Sequence, residues 1–259
     1  MSEPTVLKEF RDATAIFTLN RPKALNALND QLMREMAAAL QEADRDDAIR
    51  AVVIAGSERA FCAGADITGL DGVAVNDVLD PNGFGRGMFD ILGAYRKPLI
   101  AAVRGLAFGG GCELALACDI VVAGDKARFG VPEVALGLLP GGGGTQRLIH
   151  AMGKQKAMKM LLTGDPITAQ EAYTAGLASD LVADADCMER ALAIAKRIAR
   201  NGPLAVQLAK DSARAALEMG LTQGLAMERR NFMLLFGTAD KQEGVSAFLE
   251  KRKPSFTGK

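Results

Sequence analysis

The chain has 259 residues, with 31 Lys and Arg balanced by 31 Asp and Glu, 49% apolar residues and one histidine. Zero net charge, 5% aromatics and no Trp argue against a protein built to grip nucleic acid or an acidic membrane surface. The length supports a sizeable core in one large domain or two small ones.

Along the chain, Ala13 to Leu19 (ATAIFTL) is short and β-branched and predicts a strand. Asn29 is a helix cap, and Leu32, Met36, Leu40 and Ala43 then keep one apolar stripe. Arg50 to Ala55 (RAVVIA), Pro98 to Val103 (PLIAAV) and Asp119 to Ala123 (DIVVA) predict buried strands, with a short helix from Cys112 to Ala117 before the last. From Thr145 strand signals fade. Thr168 to Glu171 (TAQE) is a capping box, and Met188, Leu192, Ala195 and Ile198 make the apolar face of the next helix. Pro203 to Met219 and Leu221 to Phe236 also predict helices. Alternating strands and helices followed by helices alone give an α/β fold class. We place an α/β catalytic core at residues 1–200 and a C-terminal helical region at 201–259. The Gly- and Asp-rich stretch from Gly69 to Gly87 has poor periodicity and is either a lid or binding loop or a disordered insertion.

Simple chemistry narrows the site. The lone His150 makes a multi-histidine metal site impossible and forces any Ser/His or Cys/His mechanism through one residue. No metal is expected, and His150 has a surface or packing role. Cys62, Cys112, Cys118 and Cys187 form no C-x-x-C pair, so a reducing, cytoplasmic compartment is expected. Cys112 and Cys118 read as small core residues. No apolar run reaches the ~18 to 20 residues that span a bilayer. Neither a secretory leader nor a peroxisomal tripeptide is expected at the ends.

Three glycine-rich places stand out. Gly83 to Gly87 (GFGRG) lacks the dinucleotide-binding spacing, and Gly141 to Gln146 (GGGGTQ) lacks the Lys of a phosphate loop. Gly109 to Asp119 (GGGCELALACD) follows a strand and opens a helix. Its free N–H groups either stabilise an oxygen that gains charge or line a packing contact. Glu113 lies on that helix's first turn, and Glu133 follows Pro132 in FGVPEVALGLLPG (129–141). Each acid alone fits a helix start. Together, with no histidine available, they suggest carboxylate acid/base chemistry, with one acid holding a proton near neutral pH. Asp66 either contacts a ligand or fixes its own turn.

These motifs carry a resemblance. Asn20 to Asn26 (NRPKALN), Phe61 to Ile67 (FCAGADI), the 109–119 and 129–141 segments, Gly143 to Arg147 (GGTQR) and Glu243 to Phe256 together resemble the enoyl-CoA hydratase/isomerase (crotonase) family, nearly end to end. The resemblance implies a crotonase-like ββα superhelix core with a C-terminal helical region that packs homotrimers, often paired into hexamers. It implies an acyl-CoA substrate, with CoA part of that substrate and no separate cofactor. It maps the oxyanion hole onto the N–H groups of Ala65 and Gly110, and the two hydratase acids onto Glu113 and Glu133. Water-positioning maps onto Gly141. Lys23, Ala24, Leu25, Ala63, Asp66 and Ile67 match CoA-cradling segments, although Thr68 stands where many hydratases carry Lys. Phe248 and Lys251, three apart and read at helical spacing, either meet adenine and phosphate or form a basic helix end, and the resemblance adds that this face reaches the CoA of a neighbouring subunit. The implied activity is hydration of a 2-enoyl-CoA. An isomerase on the same fold and a catalytically idle acyl-CoA-binding subunit are the alternatives.

Overall fold

The computed structural model describes residues 3–79 and 86–259. The expected turn at 83–87 falls largely outside them, and so does part of the expected loop at 69–87.

The chain begins with a hairpin, β1 (Val6–Arg11) and β2 (Thr14–Leu19), turning at Asp12. A 3-10 turn at Pro22–Ala24 leads to α1 (Asp30–Arg45), whose N-cap Asn29 accepts from the Leu32 N–H. Three ββα units follow. The first contains β3 (Ala51–Ala55), β4 (Ala60–Cys62), α2 (Val75–Leu79) and α3 (Arg86–Ala94). The second contains β5 (Leu99–Val103), β6 (Leu106–Phe108) and α4 (Gly110–Ala117). The third contains β7 (Ile120–Gly124), β8 (Arg128–Gly130), a 3-10 turn at Pro132–Leu136, α5 (Gly144–Met152) and α6 (Lys154–Thr163). Then come β9 (Ile167–Thr168), α7 (Ala169–Ala175) with the expected Thr168/Glu171 capping box, and β10 (Asp180–Val182). Helices α8 (Cys187–Ala199), α9 (Pro203–Ala215), α10 (Leu221–Leu235) and α11 (Ala239–Leu249) complete the chain.

Each unit gives one strand to each of two sheets. The larger has the order β1-β2-β3-β5-β7-β10, and the smaller β4-β6-β8-β9. From β2 onward the larger sheet is parallel. Its central strands are buried on both faces, which explains their continuous apolar runs. Side chains alternate between two cores. Val52, Ile54, Leu99 and Ala101 face the large core with α1, α3 and α4. Ala51, Val53, Ile100 and Ala102 face a smaller one closed by Cys187, Ala191 and Ala195 of α8.

The smaller sheet is the main departure from the sequence reading, which contains none of its strands. Three of the four are three residues long and the fourth has two, too short to show a period. Its first strand, β4, is held by close approach of glycine backbone. A Cβ at Gly56, Gly105 or Gly111 would stand 2.3, 2.2 or 2.1 Å from the carbonyl oxygens of Phe61, Arg59 and Cys62 respectively. The strand reading also lacks β1 and β10, and α9 ends at Ala215, four residues before the expected end. His150 lies in the last turn of α5 and is exposed. The four cysteines are free and buried.

Candidate active site

Strands β4, β6 and β8 are neighbours and parallel, so their carboxyl ends open on the same side. Beyond β4 lie Gly64 and Ala65, beyond β6 lie Gly109 and Gly110, and beyond β8 lies Glu133. A crevice outside the carboxyl ends of parallel strands is where α/β folds commonly bind ligands.

The two expected oxyanion donors are close together. A Cβ built on Gly110 would lie 3.8 Å from the Ala65 nitrogen, and one on Gly64 3.6 Å from the Gly110 nitrogen. Gly110 is the first residue of α4, so its N–H has no partner within the helix. Ala65 bridges Leu28, but the bonds there run from the Leu28 N–H to the Gly64 oxygen and from the Asp66 N–H to the Leu28 oxygen. Among the described residues neither the Ala65 nor the Gly110 N–H has an acceptor.

The structure also brings the two acids together. Glu113, one turn into α4, is 3% exposed. Its Oε1 accepts two amide bonds, from the Gly142 and Gly144 N–H groups, both at 2.7 Å. Burial pushes this carboxyl above the usual glutamate range, while the Gly144 and Gly142 amides and the nearby Arg147 guanidinium oppose the rise. Glu133 sits in the 3-10 turn, and its Oε1 lies 3.0 Å from where a Gly109 Cβ would stand. Its Oε2 is buried without a hydrogen-bond partner among the described residues. Burial raises its pKa, its own backbone N–H opposes, and the charge of Glu113 adds to the rise.

Sequence reasoning missed the residues that hold Glu113. The run Gly141–Gly144 is conspicuous, but the acceptor of its amides lies some 30 residues earlier. Gly141 itself is exposed and bonds to nothing among the described residues. Asn26 was also missed. It is fully buried at φ 58°, takes the Arg21 N–H on Oδ1, and donates through Nδ2 to the Ala60 and Phe61 oxygens. Asn tolerates this left-handed backbone better than most residues.

That knot joins the two segments expected to cradle CoA. The Ala63 N–H donates to the Leu25 oxygen at 3.0 Å, so residues 23–28 and 63–67 form one strip. Lys23 and Ile67 are exposed on it, and Ala24 and Leu25 lie between. Asp66 spends both oxygens on protein groups, Oδ1 on the Thr68 N–H and hydroxyl, and Oδ2 on Arg21 at 2.9 Å. Those bonds hold its carboxyl below the ordinary value. Phe248 and Lys251 do not share a helical face. Helix α11 ends at Leu249, and Lys251 follows in a left-handed conformation at φ 55°. Phe248 is 83% exposed and Lys251 is exposed, so neither packs on the strip within one chain.

The family profile described as enoyl-CoA hydratase/isomerase matches residues 9–259. The chain belongs to the enoyl-CoA hydratase/isomerase family. Among similar members is the 2,3-dehydroadipyl-CoA hydratase of Escherichia coli, 48% identical over the whole of both chains. Solved structures of enoyl-CoA hydratases from Geobacillus kaustophilus and Bacillus anthracis superpose with TM-scores of 0.94 and 0.94 at 43% and 36% identity. The matches cover 98% of this chain and 98% and 100% of those chains. The crotonase fold expected from the motifs is therefore the fold observed, and this family member is an enzyme of the hydratase type. Among its described residues, no helix is long and apolar enough to cross a membrane.

Proposed function

We propose that this chain hydrates 2-enoyl-CoA thioesters to 3-hydroxyacyl-CoA, with Glu113 activating the water and Glu133 supplying the proton to the α-carbon. The observation that carries this division is the unequal satisfaction of the two acids. Glu113 has one oxygen saturated by two amides, an arrangement that favours its charged form and leaves Oε2 to take a proton from water. Glu133 is buried beside that charge with an unpartnered oxygen, which favours its protonated form. The thioester oxygen accepts the unpaired N–H groups of Ala65 and Gly110, which meet the negative charge that moves onto it as water adds to the β-carbon. The Gly141 N–H helps hold the water. Both proton transfers use protein carboxylates and the oxyanion is met by backbone N–H groups, so in this scheme CoA enters only as part of the substrate, with no further cofactor.

Lys23 to Leu25 and Ala63 to Ile67 cradle CoA, with Asp66 shaping that strip through Thr68 and Arg21. Phe248 and Lys251 reach the adenine and phosphates of a CoA bound by a neighbouring subunit. A homotrimer, alone or paired as a hexamer, is supported by the apolar side chains left in solvent on α10 and α11, including Leu221, Phe232, Leu234 and Leu249. A cytoplasmic location is supported by four free, buried thiols, with burial pushing that of Cys62 up to about 12.

The test is the fall of conjugated-enoyl absorbance when protein is added to crotonyl-CoA, repeated over longer, branched and distally carboxylated enoyl-CoAs. The last class is included because the E. coli relative is named for one. Hydration of at least one member with turnover well above isomerase activity is expected. Isomerase activity in excess of hydration overturns the reading.

A further inference from the structure

Arg147 closes the GGTQR motif and takes no part in the steps above. It lies on the first turn of α5, half-buried, and makes no ion pair within 4.0 Å among the described residues. Its one side-chain hydrogen bond among the described residues runs from Nη1 to the Gly142 oxygen at 2.7 Å. The same nitrogen lies 2.0 Å from where a Cβ on Gly143 would stand, and Gly143 has φ 106°. Thus the turn that clasps Glu113 is itself clasped from behind, and only a glycine at 143 lets the guanidinium reach it.

We propose that Arg147 is a positioning residue that locks the Gly142–Gly144 turn onto Glu113 and supplies the cation facing that carboxylate. The inference rests on Glu113 acting as the base. A half-buried guanidinium without a carboxylate partner is costly unless its charge has a use. The charged or titratable groups facing it come from two elements: Glu113 and Cys118 from α4 and its C-cap, and Arg214 from α9. Glu113 is attractive and Arg214 repulsive. Glu113 in turn faces Glu133 from the 3-10 turn and Cys112 from its own helix. Arg147 is the cation in this set that favours the ionised base, in line with its direction of influence on Glu113.

The test compares wild type, Arg147→Met, Arg147→Lys and Glu113→Gln by the pH profile of kcat for crotonyl-CoA, after circular dichroism and a thermal melt. If Glu113 is the base, activity falls on the acid side as that carboxylate protonates. Loss of the cation makes protonation easier, so in Arg147→Met the acid limb moves to higher pH. At the pH optimum kcat falls about 10- to 100-fold, the size of a small misplacement of a catalytic group, while KM changes little. Arg147→Lys keeps the charge and returns the limb toward its wild-type position. A folded Arg147→Met with an unmoved limb overturns the proposal, even if kcat falls. So does a limb in Arg147→Lys that stays with that of Arg147→Met. Should Arg147→Met fail to fold, the lysine variant decides through its limb against wild type. Persistence of the wild-type acid limb in Glu113→Gln, by contrast, overturns the assignment of the base.

Discussion

The two sheets of this enzyme are built from the same three ββα units, yet they do different work. The larger has central strands of five residues that are buried on both faces, and it carries no candidate catalytic residue. The smaller has strands of two or three residues, and the ends of three of them carry Ala65, Gly110 and Glu133. One sheet makes the fold stable, and the other aims the chemistry. If that division is correct, variants in the two sheets fail in different ways.

The largest expected effect is on the site side. Glu113→Gln and Glu133→Gln each lower kcat by about 10² to 10⁴-fold, the usual worth of a positioned acid or base, with much smaller changes in KM. The double variant loses less than the product of the two, because both acids serve one water. Steady-state hydration of crotonyl-CoA measures this, and a single variant with near wild-type turnover removes that residue from the scheme. Next comes Gly110→Pro. Proline is tolerated at the first helical position, so the change deletes the N–H while leaving α4 able to form. The expected loss is about 10² to 10³-fold in kcat. A correctly folded variant with normal turnover would rule out this oxyanion donor.

On the scaffold side, Ile54→Ala in β3 removes a fully buried side chain from the large core. Stability falls by about 2 to 5 kcal/mol in chemical denaturation, with kcat per folded molecule close to wild type. A large loss of kcat in the folded variant would break the division between the sheets. The smallest effect crosses from site to stability. Glu133 has a folded pKa above its unfolded value, so its ionisation costs stability. That cost is absent below the ordinary glutamate range and grows as pH rises through the folded value. Glu133→Gln removes it. The inactive variant therefore melts higher than wild type at neutral pH, and the advantage vanishes on acidification. A Tm difference independent of pH would mean that Glu133 binds its proton equally in the folded and unfolded chains.

The same contrast explains what could be read in advance. The strands RAVVIA, PLIAAV and DIVVA were legible because burial on both faces writes an unbroken apolar run. The capping residues Asn29 and Thr168 were legible because a cap is a local bond between near neighbours. The smaller sheet was not, since three residues hold no period. Glu113, Glu133, Ala65 and Gly110 came from motif resemblance, and the structure then brought them to one crevice. The amides of Gly142 and Gly144 were in plain view as a glycine run, but their partner is set by packing of α4 against α5. The shared helical face expected for Phe248 and Lys251 is absent for a different reason. Helical spacing was carried past the residue where the helix stops.

The glycines that crowd β4 have a consequence for how this protein can vary. Gly56, Gly105 and Gly111 lie in three separate segments, yet all press on the backbone of residues 59–62. A strand with almost no signal of its own is thus specified by what its neighbours lack. In a saturation scan scored by growth or by soluble yield, these three positions should tolerate almost no replacement, although none is a candidate site residue. Residues 60 and 61 themselves should accept conservative exchanges. The constraint that preserves the aim of the crevice would then be recorded away from it, as three absent side chains.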